Sequence, residues 1–367
     1  MSFGAFNRIN LSVVTYCFND HALADGLVDS VAGWSVVPRE VIVVDDGSAE
    51  PYKPAHPADN LRVLRLAPNR GAALAHTAGM GAASGRYLLS IDCDIRLPRD
   101  WVRLCLPLAE RTGVGMVSSR LRCTGSSSLT NRYVDLLYGV GPQGGETGFV
   151  QGGVFLMRRD VFESVGGYSG YEERTGEDSF LCARLAERGF RMLLNPEVEA
   201  HEVRRLSRVA AVRRKFFWQS SQYFQAIARG EPVDKVLYVF HAPCFARLGE
   251  LLRQEVCLGY YELLLMVFGA CALARSFDAG FAARLRWELT RRVRGLERLG
   301  PLLLSDLREL GAPEPQDHPE PLGLATVNAW DAQVDDALLH ALDRDCAQAL
   351  AAEDAGGADF SVYERLV

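Results

Sequence analysis

The stretch Tyr87-Leu88-Leu89-Ser90-Ile91-Asp92-Cys93-Asp94 decides how this chain is read. A short, strand-favouring apolar run passes straight into two carboxylates, the pattern of a buried strand that stops at a polar loop. Working outward, Ile9 to Phe18 is a similar run ending in Asn19-Asp20, and Glu40 to Val44 is another ending in Asp45-Asp46-Gly47-Ser48. Between these two, Leu23, Leu27, Val28 and Val31 recur at helical spacing, and a second helical segment follows Asn69-Arg70-Gly71 as far as about Ala83. This α/β alternation predicts a mostly parallel sheet flanked by helices, with ligands gathered at the carboxyl ends of its strands. All three polar clusters lie at such ends.

Toward the C-terminus, Gly139 to Gly153 reads as a Gly-rich loop leading into a strand at Val154 to Met157. Gly166-Gly167 and Gly176-Glu177-Asp178 then precede a helix from about Ser179 to Arg188, followed by a strand, Arg191 to Leu194, and a turn at Pro196. A break near Gly230-Glu231-Pro232 closes a first domain at 1–230. Residues 231–310 read as a helical extension, with Leu285, Leu289, Val293 and Leu296 on one helix face. A linker at 311–321 with four prolines and an acidic helical tail at 322–367 complete the chain. Val256 to Ala274 is apolar except for Glu262 and just long enough to span a bilayer, but a carboxylate near its middle favours a buried helix or a homodimer contact.

The 367 residues suggest two or three folding units, and 48% apolar with 23% charged residues is ordinary for a globular enzyme. A formal net charge of −6 offers no global attraction for nucleic acid or an anionic membrane, so any anion site is local. Nine cysteines are scattered without a CxxC pair, which reads as reduced thiols in a cytosolic protein rather than a disulfide frame or zinc site. With no signal-like start, the expectation is a cytoplasmic protein, soluble or peripheral at the inner face of a membrane.

Four constellations can carry chemistry. Asp92 and Asp94, one residue apart, can converge on a hard cation, Mn²⁺ or Mg²⁺, that also holds phosphate oxygens. Asp45-Asp46-Gly47-Ser48 can accept hydrogen bonds from a nucleobase or ribose, or can simply form an Asx turn. Glu177 and Asp178, at a helix start, can deprotonate an acceptor hydroxyl or serve as first-turn acids. His201 can be a further metal ligand, although a lone histidine is usually structural. The densest basic stretch, Arg204, Arg205, Arg208, Arg213, Arg214 and Lys215, suits a diphosphate or a solvated helix face.

The succession Phe18-Asn19-Asp20, Asp45-Asp46-Gly47-Ser48, Asn69-Arg70-Gly71, Ser84-Gly85-Arg86-Tyr87, Asp92-Cys93-Asp94, Gly166-Gly167-Tyr168, Gly176-Glu177-Asp178 and His201 resembles the family 2 inverting glycosyltransferases of GT-A fold, over roughly Asn10 to Lys215. The resemblance implies a donor-binding set of Tyr16, Phe18, Asp45, Asp46, Asn69, Arg70, Asp92, Gly152 and Gly153, with Asp46 reading the base. It further implies Asp92, Asp94 and His201 toward metal and diphosphate, and Asp178 as catalytic base beside Glu177. The partners it implies are a nucleotide-sugar donor, most simply a UDP-sugar, and a glycan, lipid-linked or other small acceptor. Tyr16-Cys17-Phe18 departs from the family's usual Pro-Thr-Tyr, and His76-Thr77 from a frequent Arg-Asn pair. The Gln-x-x-Arg-Trp motif of processive synthases is absent near Phe216-Phe217-Trp218, which favours a non-processive enzyme. Competing readings are a nucleotidyltransferase, disfavoured by the lack of a Gly-rich basic loop after the first strand, and a non-catalytic nucleotide-sugar-binding module.

Overall fold

Alternating buried strands and helices along the first two hundred residues produce one twisted sheet in the computed structural model, which describes residues 7–124, 128–139, 144–171, 176–228, 230–232, 244, 246–276, 296–312 and 336–352. The elements run β1 (Asn7–Cys17), α1 (His21–Ala32), β2 (Val36–Asp45), β3 (Leu61–Arg65), α2 (Ala72–Ala82), β4 (Tyr87–Ile91), β5 (Ile95–Arg96) and α3 (Trp101–Ala109). They continue with β6 (Val114–Cys123), α4 (Leu129–Tyr138), β7 (Gly145–Thr147), β8 (Val154–Arg158), α5 (Arg159–Ser164), α6 (Glu177–Glu187), β9 (Arg191–Glu202) and α7 (Arg208–Ala228). Among the described residues nine strands share the sheet, in the order β3-β2-β1-β4-β8-β6-β9-β5, with β7 beside β9.

The half β3-β2-β1-β4 is parallel, whereas β8 runs antiparallel to both β4 and β6. The chain leaves β1 toward β2 and β3 and then returns to its other side as β4, so the carboxyl ends of β1 and β4 flank a topological switch point. Val14, Ile42, Val44, Leu88, Phe155 and Met157 meet Ala75 and Met80 of α2 and Leu181 and Leu185 of α6 in one apolar layer. Burying these side chains is the main favourable term holding both helices to the sheet.

The strand expected at Arg191 to Leu194 extends to Glu202, and Pro196 does not end it. Its pairing with β6 slips between Ser119↔Asn195 and Arg120↔Glu199, so the proline sits in a bulge, where its missing N–H costs no ladder bond.

Two compact units are present: Met1–Ser126 with Asp135–Arg204, and Ser127–Val134 with Arg205–Val367. The change of unit at Arg204/Arg205 precedes the break read at Gly230, because α7 packs within the second unit, Phe216 meeting Phe268 at 4.8 Å between ring centroids. Glu262 lies inside the helix Gly259–Ser276 and is fully buried, accepting a 2.9 Å hydrogen bond from the Tyr133 hydroxyl with Arg247 3.8 Å away. That pairing explains a carboxylate within so apolar a segment, since a buried charge needs partners. Among the described residues, no helix is long and apolar enough to cross a membrane.

The expectation of uniformly reduced thiols is corrected, because Cys257 and Cys346 form a disulfide across 89 residues of sequence. Residues 256–258 and the helix Asp336–Ala352 pack together, a proximity no local motif encodes. The other seven cysteines are buried and lie outside this disulfide. Leu285, Leu289 and Val293, and all but the first residues of the 311–321 linker, lie outside the described residues, as do 322–335 and 353–367 of the tail.

Candidate active site

The carboxyl end of β2 shows what its paired acids do. Asp45 is buried and accepts the Ser48 and Tyr52 N–H groups at 2.9 Å each, with Arg65 closing the ring. Burial opposes its charge, but these donors win and hold its pKa below the usual carboxylate value. Asp45 thus forms the Asx-type turn that was one of its two readings. Asp46, equally buried, accepts Asn69 Nδ2 at 2.9 Å, the Arg70 N–H at 2.9 Å and the Gly71 N–H at 2.8 Å. It therefore clamps Asn69-Arg70-Gly71 to the sheet edge. Gly47 between the turns has φ +78°, and a Cβ there would lie 2.6 Å from the Asn69 nitrogen, so only glycine fits. The Arg70 side chain is exposed, and Phe18 is buried.

At the switch point, Tyr16 from β1 and His76 from α2 pack ring to ring at 4.8 Å between centroids. His76 is buried; its Nδ1 lies 2.7 Å from Ser90 Oγ, and its Nε2 faces Asp92 Oδ1 at 3.5 Å. Burial works against a charge on His76, yet the Asp92 carboxylate, helped by Glu177 and Asp178, keeps its pKa above the ordinary histidine value. Burial, with Asp92 and Glu177 close by, drives the Tyr16 phenol up.

Asp92 follows β4, and its N–H donates to the Gly153 carbonyl at 2.8 Å. The next link is Gly152, whose N–H donates to Asp178 Oδ2 at 3.1 Å, while Asp178 Oδ1 accepts the Ser179 N–H at 2.6 Å. A backbone strut therefore joins the Asp92 loop to the first turn of α6. Burial raises Asp178, although the Ser179 and Gly152 N–H groups pull it back. Burial pushes Glu177 up to about 7, opposed by His76 and reinforced by Asp178 and Asp92. Glu177, Asp178, Asp92, His76 and Tyr16 thus form one electrostatically linked group.

Asp94 is half of a different arrangement. Its Oδ2 accepts Arg204 Nε at 2.7 Å, and the same guanidinium forks onto Asp20 at 2.9 and 3.3 Å. His201 lies on β9 opposite Arg96 of β5, on the face away from Ala200 and Glu202, which are buried. Among the described residues no three His, Cys, Asp or Glu side chains form a metal-holding cluster, so Asp92, Asp94 and His201 are not gathered into a cage. The donor set still fits a hard divalent cation: two carboxylates on one short loop, with the remaining ligands left to phosphate oxygens and water. Sequence reasoning did not place His76 or Arg204 in the site. The departure from the family pattern at His76 was the available signal, and Arg204 was one member of a basic run.

Residues 12–166 match the model named Glycosyl transferase family 2. The succinoglycan biosynthesis protein ExoO of Rhizobium meliloti is 32% identical over 114 residues, 29% of this chain and 33% of that protein. The pre-mycofactocin glycosyltransferase of Mycobacterium tuberculosis is 28% identical over 196 residues, 49% of this chain and 41% of that protein. A mannosyltransferase from Pyrobaculum calidifontis, solved with GDP-Man and Mn²⁺, aligns with a TM-score of 0.45 at 19% identity, covering 83% of this chain and 89% of that one. The matched stretch spans about a third to two-fifths of the length of these curated relatives. The stretch similar to glycosyl transferase family 2, residues 12–166, takes in the strand ends that carry Tyr16, Asp46, Asp92 and Asp94.

Proposed function

We propose that this protein transfers a sugar, with inversion, from a nucleotide diphosphate sugar, most simply a UDP-sugar, to a hydroxyl of a glycan, lipid-linked or small-molecule acceptor, one residue at a time. The observation that carries the reading is the strut Asp92–Gly153–Gly152–Asp178, which holds a diphosphate-side carboxylate and a base-side carboxylate in one fixed relation. Fixed placement of this kind converts a bimolecular displacement into an oriented one.

Asp92 and Asp94 would hold Mn²⁺ or Mg²⁺, which supplies charge neutralisation for the leaving diphosphate when bound. Asp178, its carboxylate held by two backbone N–H groups, takes the proton of the acceptor hydroxyl as its oxygen attacks the anomeric carbon. Glu177 adds negative charge beside it, which strengthens the base. Tyr16 and His76 wall the site, and His76 keeps Asp92 oriented. Asn69 and Asp46 shape the edge on which the nucleoside lies.

The test is a panel of nucleotide sugars assayed for Mn²⁺-dependent hydrolysis and transfer, with the product anomer read by NMR. Asp92→Asn is expected to lose at least about a hundredfold in turnover, the scale of removing one charge-stabilising group. Asp178→Asn should keep donor affinity and lose turnover similarly. Full activity of the wild type in chelator, or a retained anomer, would sink the mechanism.

A further inference from the structure

Asp94 does not stand ready for a cation, because its carboxylate is engaged by Arg204 Nε at 2.7 Å. Arg204 is largely buried, with 11% of its side chain exposed, so this is not a loose surface pair. The rest of its guanidinium grips Asp20 through Nη2 at 2.9 Å and Nη1 at 3.3 Å. Backbone geometry delivers the arginine here: the Val203 N–H donates to the Asp94 carbonyl at 2.9 Å, and β5 and β9 pair at Ile95↔Glu202 just before it. Arg204 is therefore a fixed positive charge between one carboxylate of the cation loop and a second carboxylate following β1.

We propose that Arg204 is a built-in counter-ion that suppresses divalent-cation binding by the donor-free site, so that the cation and the nucleotide diphosphate load together. The proposal rests on Asp94 being a cation ligand, as read above. A guanidinium at hydrogen-bond distance withdraws negative charge from Asp94 and repels a second cation. Arg204 would find a new anionic partner in a bound diphosphate, Asp20 would keep the guanidinium in place, and the Asp94 carboxylate would then be available to a cation. Cation and diphosphate then strengthen one another's binding by equal factors, as linkage requires.

The prediction has opposite signs for the two ends of the bridge. Arg204→Gln removes the guanidinium charge from beside Asp94 and Asp20, and Mn²⁺ should bind the nucleotide-free protein about tenfold more tightly. Asp20→Asn frees the guanidinium to pair wholly with Asp94, and Mn²⁺ should bind more weakly than in the wild type. Arg204→Lys keeps the charge but cannot fork across two carboxylates, and should fall between wild type and Arg204→Gln.

Mn²⁺ binding to the full chain, measured by electron paramagnetic resonance or calorimetry with and without UDP, reads this without any turnover. UDP should tighten Mn²⁺ strongly in the wild type and much less in Arg204→Gln. Circular dichroism identifies a misfolded variant, and general damage would weaken both substitutions rather than move them apart. Equal or weaker Mn²⁺ binding by folded Arg204→Gln overturns the counter-ion role while leaving the transferase reading intact. No Mn²⁺ binding in any form, even with UDP, overturns the metal-dependent reading and this proposal with it.

Discussion

Glu177 illustrates how one half-buried carboxyl can link the proposed catalysis and stability with opposite signs. Its pKa is raised to about 7, so below that value the side chain carries a proton and above it a charge that burial disfavours. A carboxyl whose folded pKa is raised contributes stability that is fully present below its unfolded value, near 4.5, and is lost as pH rises through about 7. On the proposed mechanism activity should move the other way, because the charged form would strengthen Asp178 as the base. We expect kcat to fall as pH drops through about 7, and Glu177→Gln to flatten that limb. The same variant should also remove a loss of stability between about 4.5 and 7, measurable by denaturant titration at several pH values. A variant that keeps the acid limb of the wild type would assign the titration to another group.

At the scale of elements, the loop before β8 matters more than its glycine content suggests. Gly152 and Gly153 were read as part of the donor-binding set, and the structure gives them a distinct task as the strut between α6 and the Asp92 loop. A Cβ on Gly152 would lie 3.2 Å from Asp178 Cβ and 3.5 Å from its Oδ2, tight enough to push the carboxylate. Gly152→Ala should therefore lower kcat about tenfold or more, with stability changed by no more than roughly 1 kcal/mol, since misplacement acts on orientation before it acts on folding. Steady-state kinetics beside a thermal melt would decide, and unchanged kcat would remove the strut from the mechanism. The strand ends are legible because apolar runs stopping at acids mark buried strands whatever surrounds them, which singles out Asp92, whereas Glu177 and Asp178 are legible as acids at a helix start after glycine. His76 was not, because its part depends on Ser90, Asp92 and Tyr16, which only the fold brings to it. The same holds for Arg204, whose meaning lies in Asp20 and Asp94, far away in sequence.

At the scale of the whole molecule, the two compact units are held by different means. The first is built on the sheet and its apolar layer. The second combines an apolar helix, Gly259–Ser276, with buried polar links: Arg208 pairs with Asp306 at 2.8 Å, and the Tyr260 hydroxyl donates to the same carboxylate at 2.6 Å. Its disulfide closes a loop spanning 89 residues from Cys257 to Cys346. In the chain-entropy view, a crosslink over a loop that long restricts the unfolded state by roughly 4.6 kcal/mol. Cys346→Ser, or reduction of the wild type, should accordingly lower the melting temperature of the second unit. The first unit, which contains Asp92, Glu177 and Asp178, should keep its own transition, because the crosslink lies entirely outside it. Calorimetry with and without UDP and Mn²⁺ separates the two: a bound ligand raises the transition of the unit that binds it. The expected result is a ligand-stabilised transition unmoved by Cys346→Ser and a second one displaced downward. A single transition that shifts as a whole would mean that the two units unfold as one cooperative body, and that the crosslink supports the catalytic unit as well.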